Sequence, residues 1–450
     1  MIFDTNDVAK KLGFQLDESQ VNVLIQTLRC IGNKTHCCIT GPAGSGKTQM
    51  AKALSVTLKK SMVNYLAVTP TNKAKLVLGK ATDSEAITIH TLLSLSPELD
   101  ILELDLKNLT FSPRNWDINI VSNSVWLVDE CSMINDDLFD LLIKKADQYS
   151  CTIVFLGDES QLAPVKQRKV SKVFNLENKF QLTAVYRQDY YSEGKYTEYG
   201  SLLEKLRSRI ILRFPIISGT TSISLFKSAK EWLDASSVLF ADAVGVKDPN
   251  LVRILSYTNR RINYINTAIR KVLGFQKEFE IGELLTGYDT IPSLGIDNSE
   301  DYWVKSVSKG YHPKWNLPGY NLVLENNFGA YSIFVLTDEL GATEKFLLAS
   351  NLEKMRLRAI YSKKKSDWAL YYEQANSFAT TFDLEYEGKV IKKKTLGYGY
   401  CISIHKSQGS QFDNVFLDAI SINQCPDNIT KRQLQYVAAS RTKQTLYVYQ

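Results

Sequence analysis

Histidine is scarce, with four residues in 450, and none of the seven cysteines stands in a C-x-x-C pair, so the sequence offers no ready zinc site. Those cysteines (Cys30, Cys37, Cys38, Cys131, Cys151, Cys401 and Cys425) are odd in number, which suits reduced cytosolic thiols better than a disulfide framework. No apolar run approaches the roughly 20 residues that a membrane span needs, and the stretch from Met1 to Lys11 lacks a basic segment followed by an apolar one. A protein that stays in the cytoplasm of whatever cell makes it is expected, with no membrane partner. Internal repeats and low-complexity tracts are missing too. No second carboxylate cluster of the metal-binding kind accompanies the one described below, which gives exonuclease chemistry no support.

What is present is an ordinary folded composition, 44% hydrophobic and 23% charged, on a chain long enough for two large lobes with their own cores. The net charge of +6 fits a polyanionic partner without demanding one. Short apolar segments at Cys37–Thr40, Asn64–Thr69, Val125–Val128 and Thr152–Leu156 each end at a polar or glycine-containing loop and alternate with helical stretches. This pattern predicts an α/β fold with a mostly parallel sheet covered on both faces. Between His90 and Asn123 the period changes to two around turn residues, which predicts a β-hairpin insertion. A second α/β block starts near Leu202, includes the strand and loop Leu251–Asn259, and resumes with "YGYCISIHKSQG" before a last strand at Thr445–Tyr449. The intervening 291–394, rich in Tyr, Trp, Lys and Gly with a charged helical piece at Asn351–Tyr372, reads as an inserted subdomain.

Chemistry enters with "GPAGSGKT", Gly41 to Thr48, placed after a strand and before a helix as a phosphate loop requires. Its glycines Gly41, Gly44 and Gly46, with Pro42, let backbone N–H groups turn inward around phosphates. Lys47 places a charge on the β and γ groups, and Thr48 offers a hydroxyl to Mg²⁺. "VWLVDE" ends an apolar strand in two acids, with Asp129 suited to Mg²⁺ and Glu130 to polarising an attacking water. In "GDESQLAPV" Gln161 lies in a loop beyond a strand end, where its amide can sense a γ-phosphate. "YVAASRT" supplies Arg441, a cation that could reach the same phosphate.

These motifs in this order resemble superfamily 1 helicases, most closely the subclass B group that contains Dda-like and RecD-like enzymes. "LDESQ" resembles that family's adenine-reading motif, with Gln20. "VTPTNKAKLVL", at Pro70, Thr71 and Asn72, resembles its strand-binding motif, and "TIHTLL" its next DNA-contacting motif, with His90. "LTAVYRQ" is similar to the motif supplying Arg187 to the γ-phosphate. "SIHKSQGSQFDNV" is similar to T-x-H-K-A-Q-G, bringing Ser403 (in place of the usual Thr), His405, Lys406 and Gly409. Thr258 and Asn259 join the strand-contacting set.

The resemblance implies a P-loop NTPase with two RecA-like domains. The first comprises 1–90 and 123–200, with the hairpin insertion at 91–122; the second comprises 201–290 and 395–450, with a small SH3-like β-barrel insertion at 291–394. It implies ATP and Mg²⁺ as cofactors and single-stranded and forked duplex DNA as partners, with replication or recombination proteins as further candidates. A monomer travelling 5′ to 3′ is the expected form. Within the hairpin, Phe111 or Trp116 could stack on the last base pair as a wedge, since base stacking on an aromatic is worth about 1–3 kcal/mol; both could equally be core residues.

Blander alternatives stand beside several residues. Arg187 and Arg441 could be surface ion pairs, His90 and His405 buried imidazoles, and Gln20 a helix cap. The runs Lys363–Lys365 and Lys392–Lys394 read as solvated faces. An RNA translocase, a protein-displacing translocase, and a nucleotide-switched scaffold remain as rival functions.

Overall fold

The computed structural model describes residues 5–13, 15–93, 120–164, 167, 169–185, 191–192 and 195–450. Phe111, Trp116 and nearly all of the expected hairpin lie outside the described residues, as does Arg187. The chain divides into two compact units, residues 1–225 with 407–450, and residues 226–406.

In the first unit, helices α1 (Thr5–Leu12) and α2 (Glu18–Gly32) precede an alternation of strand and helix: β1 (Cys37–Thr40), α3 (Lys47–Lys60), β2 (Tyr65–Thr69), α4 (Asn72–Thr82), β3 (Ala86–Thr88), α5 (Ile89–Leu92), β4 (Val125–Val128), α6 (Asp136–Gln148), β5 (Thr152–Gly157) and β6 (Lys179–Gln181). The six strands form one parallel sheet in the order β3-β2-β4-β5-β1-β6. Strands β1, β4 and β5 are buried at every position, the mark of a sheet covered on both sides. Alternate residues of each strand serve opposite faces. Val125 and Leu127 join the core of Leu24, Met50 and Leu54, whereas Trp126 and Val128 join that of Leu138, Leu142 and Phe155. The strand segments expected from sequence are therefore borne out, with β2 starting one residue late and β5 extending to Gly157.

The short pair β7 (Tyr191–Ser192) and β8 (Lys195–Tyr196), helix α7 (Glu198–Ser208) and β9 (Ser222–Phe226) lead to the second unit. There α8 (Ala229–Val246), β10 (Val252–Ser256) and α9 (Asn259–Val272) come first; then β11 (Leu284–Gly287), β12 (Asp301–Tyr311), β13 (Pro318–Asn326) and β14 (Gly329–Leu336). After α10 (Ala342–Ser362) and α11 (Lys365–Ala375) follow β15 (Leu384–Tyr386), β16 (Lys389–Lys392), β17 (Leu396–Tyr398) and β18 (Cys401–Ser403), the last pairing parallel with β10. Back in the first unit, β19 (Phe412–Asp418), α12 (Ala419–Asn423), α13 (Asn428–Ala439) and β20 (Thr442–Tyr449) complete the chain, β19 and β20 running parallel.

Inside the second unit an antiparallel sheet of order β14-β13-β12-β11-β17 closes over Leu285, Tyr302, Leu322, Leu324 and Val335. It reaches beyond 291–394 at both ends, because Leu284–Gly287 and Leu396–Tyr398 are apolar like parallel-sheet strands and carry nothing that separates them by composition. The single helical piece expected at 351–372 is two helices. Lys363 adopts a left-handed φ of 54° and ends α10, a break that no glycine or proline announces. Lys363, Lys364 and Lys365 are exposed as expected, but of Lys392–Lys394 only Lys393 is exposed. Lys392 is buried with its ammonium 5.3 Å from the Phe378 ring centroid, and that of Lys394 lies 3.7 Å from that of Tyr288. Long aliphatic stems let these cations pack on aromatic rings.

Candidate nucleotide site and nucleic-acid interface

The residues with nucleotide chemistry collect at the carboxyl ends of β1, β4 and β5 in the first unit. The loop Gly41 to Gly46 turns on Gly44 and Gly46, whose φ values of 82° and 83° belong to the left-handed region that glycine enters without a Cβ penalty. Gly41 is fixed for another reason, since a Cβ there would lie 2.5 Å from Ser45 Oγ. Lys47 opens α3, the helix end whose free N–H groups and dipole favour anions. Its ammonium donates to the carbonyls of Gly41 and Pro42, each at 2.8 Å, so the charge is folded over the loop's own mouth.

Across the sheet, β4 delivers Asp129 and Glu130. Burial, and then the neighbouring charge of Glu130, push the Asp129 carboxyl up to about 7, while Lys47 pulls it down. Glu130 has a left-handed φ of 54°, a conformation that costs a non-glycine residue about 1–3 kcal/mol, and its Oε2 is buried without a hydrogen-bond partner among the described residues. A strained backbone and an unpaired carboxylate oxygen are poor devices for stability. A buried acid and a half-buried neighbour, near a lysine and the hydroxyl-bearing start of α3, fit a divalent cation, which would be held by Asp129 and Thr48. Among the described residues no cluster of three or more His, Cys, Asp or Glu offers a fuller cage. Mg²⁺ usually takes few protein oxygens and completes its shell with water and phosphate.

Gln161 follows β5; it is buried, and its Oε1 lacks a partner among the described residues. The loop around it is tied to α13. Ala163 N–H donates to Gln433 Oε1 at 3.4 Å, and Tyr436 donates its hydroxyl to Asp158 Oδ2 at 2.6 Å. The Tyr436 oxygen also accepts Ala43 N–H from the phosphate loop at 2.9 Å. Burial and the Asp158 charge hold the Tyr436 phenol well above its usual range, so it stays protonated as a donor. A small cavity beside this contact is lined by Pro42, Ala43, Val185, Arg207 and Tyr436. Arg441, just after α13, is buried and donates to the carbonyls of Val437 and Ser410, both at 3.2 Å, and to Ser440 Oγ at 3.0 Å. It is no surface ion pair. The sequence motifs assign no role to Asp158, Gln433 or Tyr436; the available signal is the glutamines and tyrosine in the half of α13 that runs into the Arg441 motif.

Gln20 is nearly buried and forms a capping box at the start of α2, with Gln20 N donating to Asp17 Oδ1 at 2.9 Å and Asp17 N to Gln20 Oε1 at 3.3 Å. Pro70, Thr71 and Asn72 form the β2–α4 turn, where Thr71 caps α4 by accepting from Ala74 N at 3.3 Å. Gly409 packs beside this turn: a Cβ on it would lie 3.6 Å from Ala74 Cβ and 3.9 Å from Thr71 Oγ1. His90 sits on α5, with burial lowering its pKa. In the second unit Thr258 caps α9 through Arg261 N at 3.4 Å, with Asn259 opening the helix. His405 stands 6.3 Å from the Tyr257 ring, and Lys406 has its ammonium 4.2 Å from the Tyr288 ring and 2.8 Å from Asn298 Oδ1, while Ser403 Oγ accepts from Lys406 N at 3.1 Å.

With fold and site described, comparison with known proteins gives the class first. An AAA-domain family model matches residues 15–206, and a UvrD-like helicase C-terminal domain model matches 398–449. Solved structures of Pif1 helicase from Bacteroides, with ADP-AlF3 and single-stranded DNA, and from Candida albicans share the fold at a TM-score of 0.53 and 16% identity. Both cover 96% of this chain, and 92% and 94% of their own. The chain is thus an α/β P-loop NTPase with two RecA-like domains, parallel sheets flanked by helices and a small antiparallel sheet.

By sequence, the particular likeness is to superfamily 1 subclass B helicases. The ATP-dependent DNA helicase dda of Enterobacteria phage T4 is 22% identical over 96% of this chain and 98% of its own length. The RecBCD enzyme subunit RecD of Buchnera aphidicola is 21% identical over 91% of this chain and 69% of its own. Among the described residues, no helix is long and apolar enough to cross a membrane.

Proposed function

We propose that this protein is an ATP-dependent DNA helicase that moves along single-stranded DNA 5′ to 3′ and opens forked duplexes. The observation that carries the proposal is the meeting of three segments at Tyr436, where the phosphate loop, the loop after β5 and the helix leading to Arg441 share one hydroxyl. Such a joint lets a change at the triphosphate be felt by α13, which is what a motor needs and a passive nucleotide binder does not.

In this reading Gly41 to Gly46 cradle the phosphates, Lys47 neutralises the γ group and Glu130 polarises the attacking water. Gln161 reads the γ-phosphate. Arg441 exchanges its bonds to Val437 and Ser410 for the phosphate as the reaction proceeds, and Arg187 assists. Arginines that arrive in this way can be worth about 10³ to 10⁵ in rate. Gln20 meets the adenine while capping α2. Thr48 and Asp129 would hold Mg²⁺, which would neutralise charge on the triphosphate.

The residues that contact single-stranded DNA are Pro70, Thr71, Asn72 and His90 in the first unit; in the second unit they are Thr258, Asn259, Ser403, His405 and Lys406. The hairpin at 91–122 provides the wedge, with Phe111 or Trp116 stacking on the last base pair.

The test is displacement of a labelled strand from forked DNA carrying either a 5′ or a 3′ single-stranded tail. Unwinding that needs ATP and the 5′ tail is expected. Preference for the 3′ tail would reverse the polarity, and ATP turnover stimulated by an RNA oligomer but not by DNA would replace the substrate.

A further inference from the structure

Tyr436 and Gln433 are three residues apart and so lie on one face of α13. Both reach the loop after β5, and their contacts bracket Gln161: Asp158 stands before it and Ala163 after it. All of this is out of water, with relative exposures of 1% for Tyr436, 0% for Asp158, 2% for Gln433 and 5% for Gln161. Asp158 receives Ser160 N–H at 3.0 Å and has Arg207 at 4.0 Å, so the 2.6 Å bond from Tyr436 is its shortest contact. A bond from a hydroxyl to a buried carboxylate is strong and directional, and its loss strands the acceptor. The same oxygen fixes Ala43 just upstream of the two left-handed glycines that shape the phosphate loop.

We propose that Tyr436 is a positioning residue for ATP hydrolysis. Its hydroxyl sets the phosphate loop and the Gln161 loop at one separation, so that Gln161 and Lys47 address the same γ-phosphate, and Gln433 is the second anchor of that loop. The inference rests on the ATPase reading above and adds a residue to it. Tyr436 touches no reacting atom; it acts through Gln161, and that dependence is what can be measured.

Strand-stimulated ATP turnover is compared in the full-length protein, in Tyr436→Phe, in Gln161→Ala and in the double variant. Tyr436→Phe should lower kcat about tenfold or more while KM for ATP stays within about threefold, since small misplacements near reacting groups can cost up to about 10²-fold. In the Gln161→Ala background the same change should cost less than about twofold, because residues acting as a unit are not additive. Equal losses in both backgrounds, or a rise in KM with kcat untouched, would overturn the proposal.

Should Tyr436→Phe fail to fold by thermal melting, Gln433→Leu leaves the Tyr436–Asp158 bond in place and carries the same cycle. Its loss should again be in kcat and disappear in the Gln161→Ala background, and additivity there would count against the idea equally. No turnover by the unaltered protein would remove the enzyme reading and this one together, whereas normal turnover by Tyr436→Phe removes this one alone.

Discussion

The phosphate-loop end of the first unit and the antiparallel sheet of the second are both well-ordered buried structures, yet they are held in opposite ways. Around β1 and α3 the deciding residues are constrained by backbone: Gly44, Gly46 and Glu130 all take left-handed φ values, and Gly41 has no room for a Cβ. In the second unit the deciding residues are ordinary side chains that meet across long stretches of sequence. Arg253 on β10 is fully buried and donates to both oxygens of Asp301 on β12, at 3.2 and 2.7 Å, and to Pro249 O at 2.9 Å. Arg270 on α9 pairs with Glu283 beside β11, where burial pushes the carboxyl up to about 7 against the pull of the arginine. In the phosphate loop the unusual backbone is spelled out by glycines; a buried ion pair between distant segments leaves no such mark.

The sharpest way to break this contrast is at Lys47. If the loop is built for a triphosphate, Lys47→Ala should reduce ATP turnover by about 10²-fold or more, the scale on which a preorganised electrostatic donor works. Its melting temperature should barely move, because among the described residues the ammonium hydrogen-bonds only to two carbonyls of its own loop. Turnover that survives in Lys47→Ala would take the loop out of the active site.

The second unit should respond in the reverse sense. Arg253→Ala leaves the Asp301 carboxylate buried without its partner, an imbalance that costs about 3–5 kcal/mol. Replacing both residues with leucine should recover much of that loss, since paired apolar side chains replace a buried ion pair at little net cost. Urea titration of the two variants measures this. A loss under about 1 kcal/mol for Arg253→Ala, on the scale of an exposed pair, would mean that the packing around β10 and β12, which lie in separate sheets, holds them without this pair.

The same contrast explains what could be read from the chain. Strands β1, β4 and β5 were legible because a sheet buried on both faces demands unbroken apolar runs that stop at loops. For the candidate site, what was legible is position: a motif fixes a residue's place relative to a strand end, as for Lys47, Asp129, Glu130 and Gln161. Tyr436 escaped because its partners, Ala43 and Asp158, lie on segments far away in sequence. Gln20 shows the opposite difficulty: local spacing makes it a capping residue, the structure bears that out, and a side chain can cap a helix and meet a ligand with the same amide. The break at Lys363 and the burial of Lys392 were invisible, because both depend on what packs nearby and not on the residues themselves.

The finest comparison lies in a device that both units carry. Strand β2 runs into α4 through Thr71-Asn72, and β10 into α9 through Thr258-Asn259. In each case the threonine has an extended backbone and caps the helix by accepting an N–H three residues on. Each turn therefore aims a helix N-terminus past the end of a parallel strand, where a phosphate would be favoured. Thr71→Ala and Thr258→Ala should each cost about 1 kcal/mol, the usual value of such a cap, with serine retaining most of it. If the turns grip a strand as well, alanine at either site should weaken single-stranded DNA binding while serine should not, as read by fluorescence anisotropy of a labelled oligomer. Loss at Thr71 alone would assign the grip to the first unit and leave Thr258 as a cap and nothing more.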